Sequence, residues 1–164
     1  MIIFSASQIA LKTIFMNAAH AYEDKNKTST RNYILLAEDD IDDVEFLTGS
    51  LQNLDQHLEV QVISSGDKAI SFFETVPNDH LPSLIIMDYN LPAMNGYQIL
   101  ALLASNERFK HIPKLVWSTS NSSFFEEECL TNGAWAYFVK PSDLSGYAYL
   151  AEKIMEYLRK PEIM

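Results

Sequence analysis

The stretch Leu84-Ile85-Ile86-Met87-Asp88-Tyr89-Asn90-Leu91-Pro92-Ala93-Met94-Asn95-Gly96 constrains the fold of this chain more than any other. An unbroken apolar run too short for a helix reads as a strand buried on both faces, and here it ends in a carboxylate followed by turn residues. Asp88 is thereby set at the carboxyl end of a buried strand, the edge where ligand crevices open in parallel sheets. Taken alone, Asp88 is explained as well by a plain turn start, or by a cap on the helix that follows Asn95. The rest of the chain decides.

From Tyr33 onward the periodicity alternates. Tyr33-Ile34-Leu35-Leu36-Ala37 reads as a buried strand, and Val44, Leu47, Leu51 and Leu54 then recur at helical spacing. Val60-Gln61-Val62-Ile63-Ser64 reads as a second strand, followed by Ala69, Ile70, Phe73 and Val76 on one helical face. After the third strand comes a helix through Ile99, Leu100 and Leu103, then a fourth strand, Pro113-Lys114-Leu115-Val116-Trp117-Ser118. A helix over residues 122–131 stops at Asn132-Gly133, residues 134–139 form a fifth strand, and Leu144, Tyr147, Ala148, Ala151, Ile154, Met155 and Leu158 mark a last helix. Strands alternating with helices predict right-handed crossovers and a parallel sheet covered on both faces, a doubly wound α/β domain.

The 164 residues, 48% hydrophobic and 12% aromatic, suffice for one domain with a real core. That domain is expected over residues 32–160, with a tail at 161–164. Residues 1–31 read as a leader and polar linker, disordered or preceding a true start at Met16, with a weak amphipathic helix as the other reading. Lys12 inside the apolar part and the lack of a basic residue before it argue against a signal peptide, and the segment is too short and polar to span a bilayer. With 12 Lys and Arg against 22 Asp and Glu, the formal charge is -10, so nucleic acid and anionic membranes are poor candidate partners, and neither nucleic-acid binding nor membrane insertion is expected. One cysteine, Cys129, cannot form an internal disulfide, and no Cys/His metal spacing exists, so a cytoplasmic location is expected. His20, His57, His80 and His111 read as surface residues.

The polar residues gather at the carboxyl ends of the buried strands. The first ends in Glu38-Asp39-Asp40, the third in Asp88, the fourth in Ser118-Thr119-Ser120 and the fifth in Lys140-Pro141. In a parallel sheet these ends share one edge, so carboxylates, a hydroxyl and an ammonium can converge. Clustered carboxylates repel one another unless a cation sits among them, and Mg²⁺ accepts a few carboxylate oxygens, a carbonyl and waters. Glu38, Asp39 and Asp88 suit that role, with the Asn90 main-chain carbonyl as a further ligand. Asp40, Asp42 and Asp43 are assigned instead to the helix start, where negative charge favours the dipole. Asp88 can also attack a phosphoryl group and hold it as a mixed anhydride, with Lys140 pairing to one phosphoryl oxygen and Ser118 donating to another. A surface ion pair for Lys140 and a turn role for Ser118 are each credible singly, but not jointly at four strand ends.

These residues, with Met87-Asp88-Tyr89-Asn90-Leu91-Pro92-Ala93-Met94-Asn95-Gly96 as the longest match, resemble the receiver domain of bacterial two-component response regulators over about residues 32–159. The resemblance implies a flavodoxin-like (βα)5 sandwich of sheet order 2-1-3-4-5 and a stand-alone regulator whose Asp88 accepts phosphate from a sensor histidine kinase or histidine phosphotransfer protein. It implies Mg²⁺ on Glu38, Asp39, Asp88 and the Asn90 carbonyl, Ser118 as switch hydroxyl, Lys140 as phosphate-pairing lysine, and Tyr137 as switch aromatic, with an ordinary strand aromatic as the equal alternative. The Lys140–Pro141 bond is often cis in this family. Thr119 stands where the family usually has a smaller residue, which implies narrower access to Asp88, and Asn90 and Ser120 lie where they would tune the phosphoryl lifetime.

The expected output is a phosphorylation-dependent change of protein partner at the fourth helix, fifth strand and fifth helix, in a monomer or a phosphorylation-linked dimer. Glu126-Glu127-Glu128 on that face reads as solvated helix surface. Two other readings stand beside it. A phosphohydrolase of the haloacid-dehalogenase type would want a second Asp two positions after Asp88, where Asn90 stands. A phosphorylation-independent adapter would be expected to have lost Asp88 or Lys140, and both are present.

Overall fold

The computed structural model describes residues 33–159, which fall in one compact unit; the leader, the Met16 question, His20 and the tail lie outside the described residues. Five strands and five α-helices alternate: β1 (Tyr33–Ala37), α1 (Ile41–Leu54), β2 (Glu59–Ile63), α2 (Gly66–Thr75), β3 (Leu84–Asp88), α3 (Gly96–Ala104), β4 (Lys114–Ser118), α4 (Ser123–Thr131), β5 (Ala136–Val139) and α5 (Leu144–Arg159). All strand pairs are parallel and the order is β2-β1-β3-β4-β5, the doubly wound arrangement expected.

Because side chains alternate across a strand, each central strand feeds two cores. Leu35, Ala37, Ile85, Met87 and Val116 face α2, α3 and α4, packing with Phe73, Leu100 and Cys129. Ile34, Leu36, Ile86, Leu115 and Trp117 face α1 and α5, packing with Leu47, Leu51, Tyr147 and Ile154. β1, β3 and β4 are therefore nearly continuous in burial, whereas β2, at the sheet edge, leaves Glu59, Gln61 and Val62 exposed. The helical stripes hold with local corrections. Leu54, Leu144 and Ala148 are exposed, and Leu150 is the buried residue of α5 that the stripe omitted. His57, His80 and His111 are on the surface. No helix among the described residues is long and apolar enough to cross a membrane.

Three local devices fix the strand ends. Asp40 caps α1, its side chain accepting from the main-chain N–H groups of Asp42 and Asp43 at 2.9 and 3.2 Å. Asn95, not Asp88, caps α3, in a reciprocal capping box with Gln98. Gly133, with φ at 99°, turns the chain out of α4, as its Asn-Gly stop signal predicts.

Candidate functional site

The order of strands reverses between β1 and β3, and the register there sets Ala37 beside Met87 and Asp88 beside Trp117. Glu38, one residue past Ala37, and Asp88 thus emerge side by side, at the position where such sheets open a crevice. Both are buried, while Asp39 is exposed. Ser118, at the end of β4, pairs in register with Val139, so Lys140 leaves β5 one residue beyond it. The Lys140 N–H donates to the Ser118 carbonyl at 2.7 Å.

Lys140 closes the site. Its Nζ lies 2.8 Å from Glu38 Oε2, 2.8 Å from Asp43 Oδ2 and 3.0 Å from Asp88 Oδ2, with only 7% of the side chain exposed. Burial opposes the charged ammonium, but the three carboxylates outweigh it and push its pKa up. Burial, against the pull of Lys140, pushes Glu38 up to about 7. Glu38 Oε1 accepts from the Asp40 N–H at 3.0 Å, whereas Oε2 touches Lys140 as an ion pair without aligned hydrogen-bond geometry. Asp88 Oδ1 accepts from the Asn90 N–H at 3.0 Å, so the acid does open the turn as well.

The acidic residues fit a divalent cation. One carboxylate oxygen each from Glu38, Asp39 and Asp88 lie within 4.8 Å of one another, and the buried Glu38 Oε2 has no hydrogen-bond donor of its own. A hard cation would satisfy that oxygen and offset a group of acids that outnumber Lys140. Asn90 follows in the turn, exposed, with its N–H committed to Asp88.

Ser118 and Tyr137 sit beside this center but do not bond to Asp88. The Ser118 Oγ is buried and accepts from the Ser120 N–H at 3.2 Å, and the Tyr137 hydroxyl donates to the Ser120 carbonyl at 2.8 Å. The two side chains therefore bond to the two main-chain polar groups of one residue, Ser120.

Three sequence expectations are corrected. The Lys140–Pro141 bond is trans, since no peptide bond is cis among the described residues, and trans is the lower-energy form of an ordinary X-Pro bond. Asp43 is not only a helix-start acid, because its carboxylate reaches Lys140 and accepts from the Tyr147 hydroxyl. Glu128 is not plain surface: it accepts from the Tyr89 hydroxyl at 2.9 Å, and Glu126 and Glu127 alone remain exposed. The only sequence signal for the Asp43 contact was a tyrosine hydroxyl on the buried stripe of the last helix, which needs a partner.

This geometry has counterparts. Residues 34–161 match the sequence model of the response regulator receiver domain. The two-component response regulator ORR5 of Oryza sativa subsp. japonica is 29% identical over 123 residues, covering 75% of this chain and 88% of its own length. Among solved structures, the phosphorylated cyanobacterial phytochrome response regulator RcpA superposes with a TM-score of 0.73 at 25% identity, over 82% of this chain and 99% of its own. The Mn²⁺-bound form of response regulator Rcp1 has the same fold, with a TM-score of 0.71 at 24% identity, over 81% and 99% of the two chains. With the family match spanning most of the chain, and a sheet order and strand-end chemistry that agree with it, the chain belongs to the response regulator receiver domain family.

Proposed function

We propose that Asp88 is the phosphoacceptor of a histidine-to-aspartate relay, and that the chain signals through phosphorylation-dependent protein contacts. The observation that carries this reading is the approach of Lys140 Nζ to 3.0 Å from Asp88 Oδ2, beside carboxylate oxygens that converge within 4.8 Å. A nucleophilic carboxylate, a fixed ammonium and a cation nest together match the needs of phosphoryl transfer, where positioning and charge stabilization supply most of the catalysis.

In the transfer, an Asp88 oxygen attacks the phosphorus of a phosphohistidine on a sensor kinase or phosphotransfer protein. A P–O bond forms as the P–N bond breaks, and the electron pair returns to the imidazole nitrogen. Lys140 donates to one phosphoryl oxygen. Glu38, Asp39, Asp88 and the Asn90 carbonyl would hold Mg²⁺, which would supply positive charge beside the transferring group. Ser118 then exchanges its Ser120 N–H bond for a donated bond to phosphoryl oxygen, and Tyr137, anchored on the same loop, follows. The change reaches α4, β5 and α5, each of which leaves a large apolar side chain exposed, at Phe124, Val139 and Tyr149. The reading places this exchange in the cytoplasm, in keeping with a lone, buried Cys129.

Intact mass after incubation with Mg²⁺ and acetyl phosphate tests the proposal. Wild type should gain one labile phosphoryl group and Asp88→Asn none. A wild type that gains nothing is an adapter, and continuous turnover of added phosphate esters marks a hydrolase; either result overturns the relay reading.

A further inference from the structure

The Lys140 ammonium has three N–H bonds and three carboxylates around it, and these are not equivalent. Glu38 and Asp88 also belong to the acidic triad that fits a cation; Asp43 does not. When a cation draws on the first two and a phosphoryl group occupies Asp88, Asp43 is the acid left to hold the lysine. It is well placed to do so. Asp43 stands in the first turn of α1, and its second oxygen accepts from the hydroxyl of Tyr147 in α5. Tyr147 is itself buried, its ring edge-on to Trp117 with centroids 6.5 Å apart and tilted against Phe46 at 5.4 Å. The packed ring fixes the hydroxyl, the hydroxyl fixes the carboxylate, and the carboxylate fixes the ammonium.

Building on the phosphoacceptor reading of Asp88, we propose that Asp43, held by the Tyr147 hydroxyl, is the positioning residue that keeps Lys140 at the phosphoryl end of the site. Without it, Lys140 is free to settle between Glu38 and Asp88, where it competes with the cation instead of meeting the incoming phosphoryl oxygen. Neither residue touches the transferring group; both act through the lysine.

The test compares Asp43→Asn, Tyr147→Phe and Asp42→Asn with wild type. Asp42 is exposed in the same helical turn and does not meet Lys140, so its variant removes equal charge without the contact. Tyr147→Phe removes the hydrogen bond that holds Asp43 and leaves the charge unchanged. Two measurements are made on each full-length protein: the rate of labeling by acetyl phosphate at saturating Mg²⁺, and the ¹H–¹⁵N signal of the Lys140 ammonium without metal, identified by its loss in Lys140→Arg. Labeling should slow about tenfold in Asp43→Asn and about threefold in Tyr147→Phe, and stay within about twofold of wild type in Asp42→Asn. The ammonium signal should shift or broaden in the first two variants only. Thermal melts establish that each variant is folded.

Variants that keep the wild-type signal overturn the proposal, and so does a lost signal with unchanged labeling, which would make the contact structural. A wild type that takes no phosphoryl group overturns the underlying relay reading as well. That outcome is distinguishable, because labeling is then absent from every protein while the ammonium signals still differ.

Discussion

Lys140 Nζ lies 4.8 Å from the center of the Trp117 ring, and Trp117 is the register partner of Asp88. The indole is buried, with its Nε1 unpartnered, so its emission senses the charge resting on its face. With Trp135→Phe, Trp117 becomes the only tryptophan of the chain. In that background Mg²⁺ should change the emission in one saturable phase, as the charges around Lys140 redistribute. Asp39→Asn should raise the half-saturating concentration about tenfold, about 1.4 kcal/mol, with no loss of stability, because Asp39 is exposed. A titration of Asp39→Asn that overlays the parent would remove Asp39 from the cation site.

Two glycines should respond in opposite directions to alanine. At Gly96 an added Cβ meets the Asp88 carbonyl oxygen, with the Asp88 carbonyl carbon at 3.1 Å and Tyr89 Cα at 3.2 Å. Those atoms are backbone of the turn that carries Asp88 and cannot swing away, so Gly96→Ala should cost about 2 kcal/mol in urea unfolding and slow labeling of Asp88. Gly49 lies exposed within α1 with nothing within 4 Å of its Cβ position. Gly49→Ala should stabilize by about 0.5–1 kcal/mol through helix propensity and leave labeling unchanged.

These contrasts also mark what could be read from the residues alone. Short unbroken apolar runs, helical stripes and turn signals are local, so the elements and their order were legible, and the parallel sheet then carried Glu38, Asp88 and Lys140 to one edge. What escaped depends on side-chain reach. Asp43 and Tyr147 are 104 positions apart and meet only because α1 and α5 cover the same sheet face. Tyr89 and Glu128 meet across 39 positions. Each residue had an adequate local explanation, as helix-start acid, core aromatic, turn residue or surface charge, and nothing local in the chain forced the longer one. Nor did position in a strand disclose that Lys114 is fully buried.

Lys114 opens β4 at the end of the sheet away from the acids, and its Nζ donates to the Phe109 and Ile112 carbonyls at 2.7 Å each and to Lys110 at 3.3 Å. Lys114→Met strands these acceptors and should cost about 2 kcal/mol at pH 7. Burial pushes the Lys114 pKa down from 10.5 to about 8. Between those values the unfolded chain still holds a proton that the folded chain has released, so the stability of wild type relative to Lys114→Met should rise with pH across that window. Urea unfolding of both proteins at pH 7 and pH 10 checks the sign. A gap that narrows with pH would show the buried ammonium favored by its carbonyls over the neutral amine.

α4 is the helix held by the fewest buried residues, with only Cys129 fully inside. Part of its attachment comes from Tyr89, the residue directly after Asp88, whose ring stacks on Phe125 with centroids 4.7 Å apart and whose hydroxyl bonds to Glu128. Burial, reinforced by the Glu128 carboxylate, pushes the Tyr89 hydroxyl up to about 12, so the donated bond persists throughout the physiological range. A helix tied this way opens at low cost, and its amides should exchange faster than those of α1 or α5. Tyr89→Ala removes both the stack and the bond, worth together about 1–2 kcal/mol, and should speed α4 exchange about tenfold. Tyr89→Phe keeps the stack and should speed it less. Exchange in β1, β3 and β4 should change less than in α4 in both variants, because fully buried residues fill their cores and Tyr89 packs only at the margin. Equal exchange of α4 in wild type and Tyr89→Ala would mean that the helix is anchored by Cys129 and its core neighbours, and that the turn after Asp88 has no direct hold on it.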